Sequence, residues 1–366
     1  MRTYAPVTLG FSLLAGAVVA ACDKDERPAE TKPLATTSMQ LAAPAFEIGE
    51  EQLTMYQPLP MAMLSEKNPL TDEKIALGRQ LYYDTRLSKN HDISCNTCHD
   101  LAKFGVDHKP VSPGHKAQNG TRNSPTAYNA AGHFAQFWDG RAATVEEQAT
   151  LPILNPVEMA MPDATAVVTL VRSIPGYVES FKEAFPDAPE PVTIETIGQA
   201  IGAFERRLVT PARWDRYLQG DKGVLTDDEK KGFLAYVEAG CGTCHSGRYL
   251  GGTMFQRLGA VKQWPADKDQ GRFEVTKNEA EKMMFKVPSL RNIEKTAPYF
   301  HDGSEPSLEN AIKLMGTHQL GKDLDEDQVT LIARFLATLT GEIPAEYIKQ
   351  PELPPSGKTT PKPNPN

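Results

Sequence analysis

Two copies of one short motif constrain this chain more than any other feature. The stretches CNTCH and CGTCH both follow the pattern CxxCH, and they lie in opposite halves of a chain of 366 residues. Two thiols at this spacing can add to the two vinyl groups of one haem, and the adjacent histidine then reaches the iron. A disulfide across so short a gap is strained. We therefore predict two covalent c-type haems, held by Cys95, Cys98, His99, Cys241, Cys244 and His245.

The sixth coordination position of each haem iron decides between electron transfer and chemistry on the iron. For the second motif, Met315 ends a predicted helix just before Gly316, and a thioether ligand raises the haem potential. Met254, Met283 and Met284 are alternative ligands. A further alternative is that Met315 is a core residue, the usual role of a methionine at helical spacing.

For the first motif, three histidines that follow it are candidate distal ligands: His108, His115 and His133. His115 lies in PVSPGHKAQNG, a loop with proline and glycine on both sides. A histidine on a loop can leave an iron without unfolding a helix. The alternative is a solvent-exposed histidine without a ligand role.

Most periodic segments predict α-helices. Apolar residues recur at helical spacing over residues 193–208. The helix after Thr226 opens with a T-x-x-E capping box and is expected to end at Gly240. The helix after Thr144 has the same pattern, and Pro152 is expected to limit it. Alternating strand patterns are scarce, so the fold class is mainly α with long loops.

A weak internal repeat supports two related domains. One constant shift aligns Pro125 with Pro288, Asn129 with Asn292, and the sequence FWDG with FHDG. Two cytochrome c-like haem domains in tandem account for this pattern. The predicted organisation is a signal peptide at 1–22, a flexible linker at 23–45, haem domains at 46–210 and 211–350, and a disordered or surface-draped tail at 351–366.

The N-terminal segment predicts export. An apolar run follows Arg2 and ends in Val19-Ala20-Ala21-Cys22, which resembles a bacterial lipobox in which the cysteine is lipidated. Simple cleavage after Ala21 is the alternative. We expect a periplasmic protein with a lipid anchor on a bacterial membrane, which agrees with covalent haem.

The overall charge excludes one class of partner. The formal net charge is -8 and the chain has no long basic run, which argues against nucleic acid binding. An acidic surface suits a basic protein partner.

The segments around both motifs resemble one family, the bacterial dihaem cytochrome c peroxidases. The matching stretches are SCNTCHD, GVDHKPVSPGHKAQNGTRNSPTAYNAAGHFAQFWDGRA and NPVEM in the first half, and GCGTCHSG, KVPSLRNIEKTAPYFHDGS and LMG in the second. The resemblance covers about residues 55–345. It implies that the first haem is the low-potential, peroxidatic haem and the second is the high-potential, electron-entry haem.

The resemblance also implies roles for residues outside the two motifs. His115 matches a removable distal ligand that blocks the first iron in the oxidised state. Gln148 and Glu158 match distal-pocket residues, with Glu158 as the acid–base group, and Trp138 matches a residue between the haems. Met315 matches the axial ligand of the second haem. A calcium site at the domain interface is matched by Asn123, Thr296 and Pro298.

The implied activity is reduction of hydrogen peroxide to water. The electrons would come from a small periplasmic donor, a cytochrome c or a blue-copper protein (cupredoxin), and the family commonly forms homodimers. One alternative is an enzyme that modifies a protein partner, like the methylamine dehydrogenase maturation enzymes, although these carry Tyr where this chain has Met315. Two further alternatives are a dihaem electron carrier and a peroxide sensor.

Overall fold

A computed structural model describes residues 46–265 and 268–366, so the predicted signal peptide and linker lie outside the described residues. The described chain is mainly helical, as predicted, and none of its helices is long and apolar enough to cross a membrane. The α-helices are α1 Glu50–Leu53, α2 Asp72–Tyr83, α3 Cys95–Cys98, α4 Val145–Leu154, α5 Ala164–Arg172, α6 Pro175–Ala184, α7 Ile194–Glu205, α8 Arg213–Leu218, α9 Asp227–Ala239, α10 Phe273–Thr276, α11 Leu308–Leu314, α12 Glu326–Ala337 and α13 Ala345–Ile348. Two short strands, β1 Phe255–Arg257 and β2 Met284–Lys286, pair in antiparallel fashion.

Local signals account for the longer helices. α9 begins with the predicted capping box at Thr226 and ends at Gly240, whose φ of 98° is a left-handed conformation that glycine adopts without strain. The expectation for Pro152 is wrong, because α4 continues through it to Leu154. A proline in the last turn removes a single intrahelical hydrogen bond, so the helix tolerates it there.

Two helix pairs form the centres of two hydrophobic clusters. α2 packs on α7 in the first cluster, and α9 packs on α12 in the second. In each pair the two helix backbones approach most closely at a glycine, which has no Cβ. A Cβ on Gly78 would lie 1.8 Å from the carbonyl oxygen of Ala200, and a Cβ on Gly232 would lie 2.1 Å from the carbonyl oxygen of Leu331. Each half therefore has its own tightly packed helix pair.

The aligned positions of the sequence repeat have matching environments. Asn129 and Asn292 both have a φ of 61°, and both donate a 2.9 Å hydrogen bond from Nδ2 to the hydroxyl of Thr210. Thr210 is fully buried. The two halves are thus joined at one hydroxyl group that accepts the same bond from each side.

The chain ends pack on the opposite half. Ile48 and Tyr56, at the N-terminal end of the described chain, belong to the second cluster, whereas Ile348 belongs to the first. Residues 351–366 have no regular secondary structure and are draped over the first half. Arg86, for example, donates hydrogen bonds from Nη1 to the carbonyl oxygen of Pro354 and to the hydroxyl of Ser356.

Candidate haem sites

Backbone carbonyls hold the predicted proximal histidine of the second motif. His245 Nδ1 lies 3.2 Å from the carbonyl oxygen of Leu250 and 3.1 Å from that of Pro288. A carbonyl only accepts, so Nδ1 carries the proton and Nε2 keeps its lone pair for a metal. Burial lowers the pKa of His245, which favours this neutral form. The Tyr236 hydroxyl donates to the carbonyl of His245 and fixes the backbone at the motif.

The first motif has the same support. His99 Nδ1 lies 2.9 Å from the carbonyl oxygen of Pro125, the repeat partner of Pro288, and the Tyr82 hydroxyl donates to the His99 carbonyl at 2.9 Å. Burial lowers the pKa of His99 as well. Both predicted ligands are therefore neutral, oriented imidazoles with Nε2 available.

One cavity connects the second motif with its predicted axial ligand. Cys241, Cys244, His245 and Met315 line the same cavity. Met315 does not end its helix as expected, because a π-helical turn, Met315–Leu320, follows α11. π-Helical turns widen a helix and occur often at functional sites. Of the four candidate methionines, Met315 is the one that lines this cavity.

The cysteines fit covalent haem attachment. Within the described part of the chain, Cys95, Cys98, Cys241 and Cys244 are free thiols and form no disulfide. Each pair precedes a histidine whose Nε2 is available to a metal, and a largely apolar cavity adjoins the second pair. These residues are the donor set that a c-type haem requires.

His115 and Glu158 are brought together. The His115 amide donates a 2.8 Å hydrogen bond to the carbonyl oxygen of Glu158, and His115 is buried. Its loop is strained, because Lys116 and Ala117 adopt φ values of 57° and 56°, which are unfavourable for residues with a Cβ. A buried histidine thus lies on a strained loop against the predicted acid–base residue.

The Glu158 carboxyl group is partly buried and is held by Asn155. Burial raises its pKa, whereas the charge of Arg141 and a hydrogen bond from Asn155 lower it. The Asn155 bond, from Nδ2 to Oε1, is 2.7 Å long. Burial raises the pKa of the free Cys98 thiol, a hydrogen bond with Ser112 lowers it, and the charges of Asp107 and Glu158 make smaller increases.

The two other predicted catalytic residues are Gln148 and Trp138. Gln148 is half-buried on α4, the helix that ends just before Asn155. Trp138 donates a 2.9 Å hydrogen bond from Nε1 to the carbonyl oxygen of Asn123, and it lines the cavity of the second motif. Trp138 also contacts the ring of His301, its partner in the sequence repeat, with 6.3 Å between ring centroids.

The three predicted calcium-binding residues line that same cavity. Asn123, Thr296 and Pro298 are all in its wall. Among residues 46–265 and 268–366, no group of three or more His, Cys, Asp or Glu side chains is arranged to hold a metal ion. Amide and carbonyl oxygens, the donors available at these three residues, are a different donor set that suits calcium.

Comparisons with known proteins identify the family. A model described as di-haem cytochrome c peroxidase matches residues 72–223. The cytochrome c551 peroxidase of Pseudomonas aeruginosa is 42% identical over 340 residues, which are 90% of this chain and 97% of that protein. The chain belongs to the di-haem cytochrome c peroxidase family. The predicted family and enzyme class, an oxidoreductase acting on peroxide, are therefore confirmed, and family membership implies two c-type haems.

Two further relatives agree with this placement. The cytochrome c551 peroxidase of Nitrosomonas europaea is 44% identical over 84% of this chain and 91% of that protein. A crystal structure of a MauG-like protein associated with microbial copper homeostasis aligns with a TM-score of 0.71 and 30% identity, over 81% of this chain and 98% of that one. The di-haem peroxidase fold thus extends over most of the described chain.

In this member of the family, the other candidate histidines have different surroundings from His115. His108 Nδ1 lies 3.0 Å from the carbonyl oxygen of Ala297, next to the predicted calcium residues. His133 Nδ1 lies 3.5 Å from Lys286 Nζ, and both residues line the cavity of the second motif. Of the three, His115 is the one bonded to the Glu158 backbone.

Three residues at the two candidate sites, Asn155, Arg141 and Lys286, were not predicted from the sequence, and His133 was predicted as a candidate ligand of the first haem although it lines the cavity of the second motif. Asn155 stands three residues before Glu158 in NPVEM, and Arg141 directly follows FWDG, so both had a local signal. Lys286 and His133 meet only through the fold.

Proposed function

We propose that this chain is a di-haem peroxidase whose first motif is the peroxide-reducing site and whose second motif is the electron-entry site. The haems, when bound, supply the redox chemistry: electron entry at the His245–Met315 site and peroxide reduction at the His99 site. Reduction of one hydrogen peroxide to two waters consumes two electrons and two protons. The protein must therefore admit peroxide, move protons and control access to the first site.

The observation that carries this proposal is the contact between His115 and Glu158. A hydrogen bond of 2.8 Å joins their backbones, so movement of the His115 loop also frees the segment that holds Glu158. We propose that His115 occupies the distal position in the oxidised protein and leaves it on activation. Glu158, held by Asn155, then moves a proton from the inner to the outer peroxide oxygen, with Gln148 beside it in the distal pocket.

Trp138 connects the two sites in this proposal. Its indole lines the cavity of the second motif, and its Nε1 donates a hydrogen bond to the carbonyl oxygen of Asn123. An aromatic ring in this position packs both halves and provides an apolar bridge between the haems. Asn123, Thr296 and Pro298 would hold one calcium ion next to this bridge, through amide and carbonyl oxygens.

The donor and the location complete the proposal. The Pseudomonas aeruginosa and Nitrosomonas europaea relatives are named for cytochrome c551, so we propose a small cytochrome c or a cupredoxin as the donor here. The lipobox-like sequence that ends at Cys22 supports a lipid-anchored periplasmic enzyme. Loss of labelling by a radioactive fatty acid in Cys22→Ser tests the anchor; equal labelling of both proteins would exclude it.

Steady-state turnover with a matched pair of variants tests the function. The holoprotein with calcium, reduced cytochrome c and peroxide should oxidise two donor molecules per peroxide. A variant with Cys95 and Cys98 both replaced by alanine should accept electrons but consume no peroxide. The same change at Cys241 and Cys244 should prevent oxidation of the donor. Peroxide consumption that survives the first pair of changes would refute the assignment of the two sites.

A further inference from the structure

A lysine is buried between the two halves. Lys286, the last residue of β2, is 7% exposed, and burial lowers its pKa to about 8. Its backbone amide donates a 2.7 Å hydrogen bond to the carbonyl oxygen of Trp138. This main-chain bond and the pairing of β2 with β1 fix the position from which the side chain extends.

The Lys286 ammonium group is poorly compensated by protein atoms. In the described ranges, no carboxylate oxygen lies within 4.0 Å of Nζ, and its hydrogen-bond partner is His133 Nδ1, 3.5 Å away. An ammonium group only donates, so Nδ1 accepts and the ring proton of His133 is on Nε2. That Nε2 atom is buried and has no hydrogen-bond partner. Burying a charge and a donor without acceptors is costly, which indicates a missing anionic acceptor.

The surroundings indicate which anion is accepted. Lys286 and His133 both line the cavity that contains Cys241, Cys244 and His245. Two neighbours hold the His133 ring in place. Tyr249 makes an edge-on contact with it, with 5.5 Å between the ring centroids. The backbone of Gly252 packs so closely against it that a Cβ at this glycine would lie 2.4 Å from the ring. Lys286 and His133 thus provide two fixed hydrogen-bond donors, one of them cationic, in the cavity where a haem would be attached. A haem carries two propionate carboxylates.

We propose that Lys286 and His133 bind a propionate of the haem attached at Cys241 and Cys244, an inference that rests on the proposed function. The ammonium group of Lys286 forms an ion pair with one carboxylate oxygen, and His133 Nε2 donates a hydrogen bond to the same group. A buried cation beside a haem stabilises its reduced form, since reduction adds an electron. Lys286 therefore acts as a positioning residue that raises the potential of the electron-entry site.

Spectropotentiometric titration of the holoprotein tests this role. Lys286→Met removes the charge and keeps the length of the side chain. At a fixed applied potential, the ratio of reduced to oxidised haem at the second site should fall at least tenfold, equivalent to about 59 mV for a one-electron couple. Lys286→Arg should keep the ratio within about twofold of wild type. His133→Phe, which keeps an aromatic ring, should give a smaller decrease.

Lys282→Met provides the matched control. Lys282 lies on the same segment, but its side chain is 39% exposed and pairs with Glu279, so its replacement should leave the ratio unchanged. Equal ratios in wild type and Lys286→Met would overturn the proposal. If the Met variant does not assemble, Lys286→Gln provides the same comparison. Haem content of the wild type, measured separately, reports failure of the proposed function itself, because a protein without haem at Cys241 would show one haem or none.

Discussion

The backbone amide of His115 donates a 2.8 Å hydrogen bond to the backbone carbonyl of Glu158. The predicted distal ligand and the predicted acid–base residue are therefore linked through their main chains, independently of their side chains. A single hydrogen bond contributes roughly 1 kcal/mol, and the left-handed conformations of Lys116 and Ala117 oppose it. Such a contact is weak enough to break during the activation that we propose.

Gly114→Ala should open the first site in the oxidised protein. A Cβ at Gly114 would lie 2.0 Å from the carbonyl oxygen of Val157, so the loop must move away from Glu158. Overpacking of about 1–3 kcal/mol would raise the ratio of histidine-free to histidine-bound oxidised haem by about fivefold to 150-fold. Electron paramagnetic resonance measures this high-spin fraction. Gly120→Ala is the control, because its Cβ would have no atom closer than 3.9 Å; equal spectra for the two variants would contradict the prediction.

Glu158→Gln should lower kcat for peroxide by about 10²–10⁴-fold, the usual contribution of a general acid–base group. Burial raises the pKa of Glu158, and the carboxylate form must accept the first proton, so the wild-type rate should rise with pH through a pKa above 4.5. The variant should lose this limb of the profile. Glu183→Gln, a change at an exposed glutamate, should keep both the rate and the limb. If the rate of Glu158→Gln still rises with pH in the same way, another group must be responsible for this pH dependence.

Glu205→Gln should reduce the pH dependence of stability. Glu205 is 8% exposed, and burial together with the Glu146 charge raises its pKa from 4.5 to about 8. A raised pKa means that the folded protein binds the extra proton, so the contribution of Glu205 to stability is lost as pH rises from 4.5 to about 8. The slope is at most about 1.4 kcal/mol per pH unit. Denaturation with urea at several pH values should give a flatter profile for the variant; parallel profiles would be the contrary result.

Thr210→Val should destabilise the junction of the two halves. The side-chain amides of Asn129 and Asn292 would each lose a buried acceptor, at a cost of about 1–3 kcal/mol apiece. Thr210→Ser retains the hydroxyl group and should recover most of this loss. Thermal unfolding of the two variants measures the difference. Equal midpoints would show that the shared hydroxyl does not hold the halves together.

The sequence predicts those features that depend on neighbouring residues. The capping box at Thr226 and the glycine at Gly240 define α9, and the CxxCH motifs predict the two candidate proximal histidines, because these signals act over a few residues. The environment of Met315 was harder to predict. A π-helical turn depends on how the chain beyond α11 packs, and Met315 has no sequence signal for it.

Long-range features were beyond prediction for the same reason. Lys286 and His133 are far apart in sequence, and neither has a residue pattern that indicates a partner. The burial of Glu158 depends on the loop that carries His115, and NPVEM alone resembles a solvated loop. The repeat, in contrast, was visible because Asn129 and Asn292 have to repeat the same conformation around Thr210.

The exchanged chain ends have a consequence for biosynthesis. The first hydrophobic cluster includes Ile348, so it stays incomplete until nearly all of the described chain has been synthesised. The second cluster uses Ile48 and Tyr56, which emerge first and must wait for the helices around them. Completion of each hydrophobic cluster therefore requires a segment from the far end of the described chain.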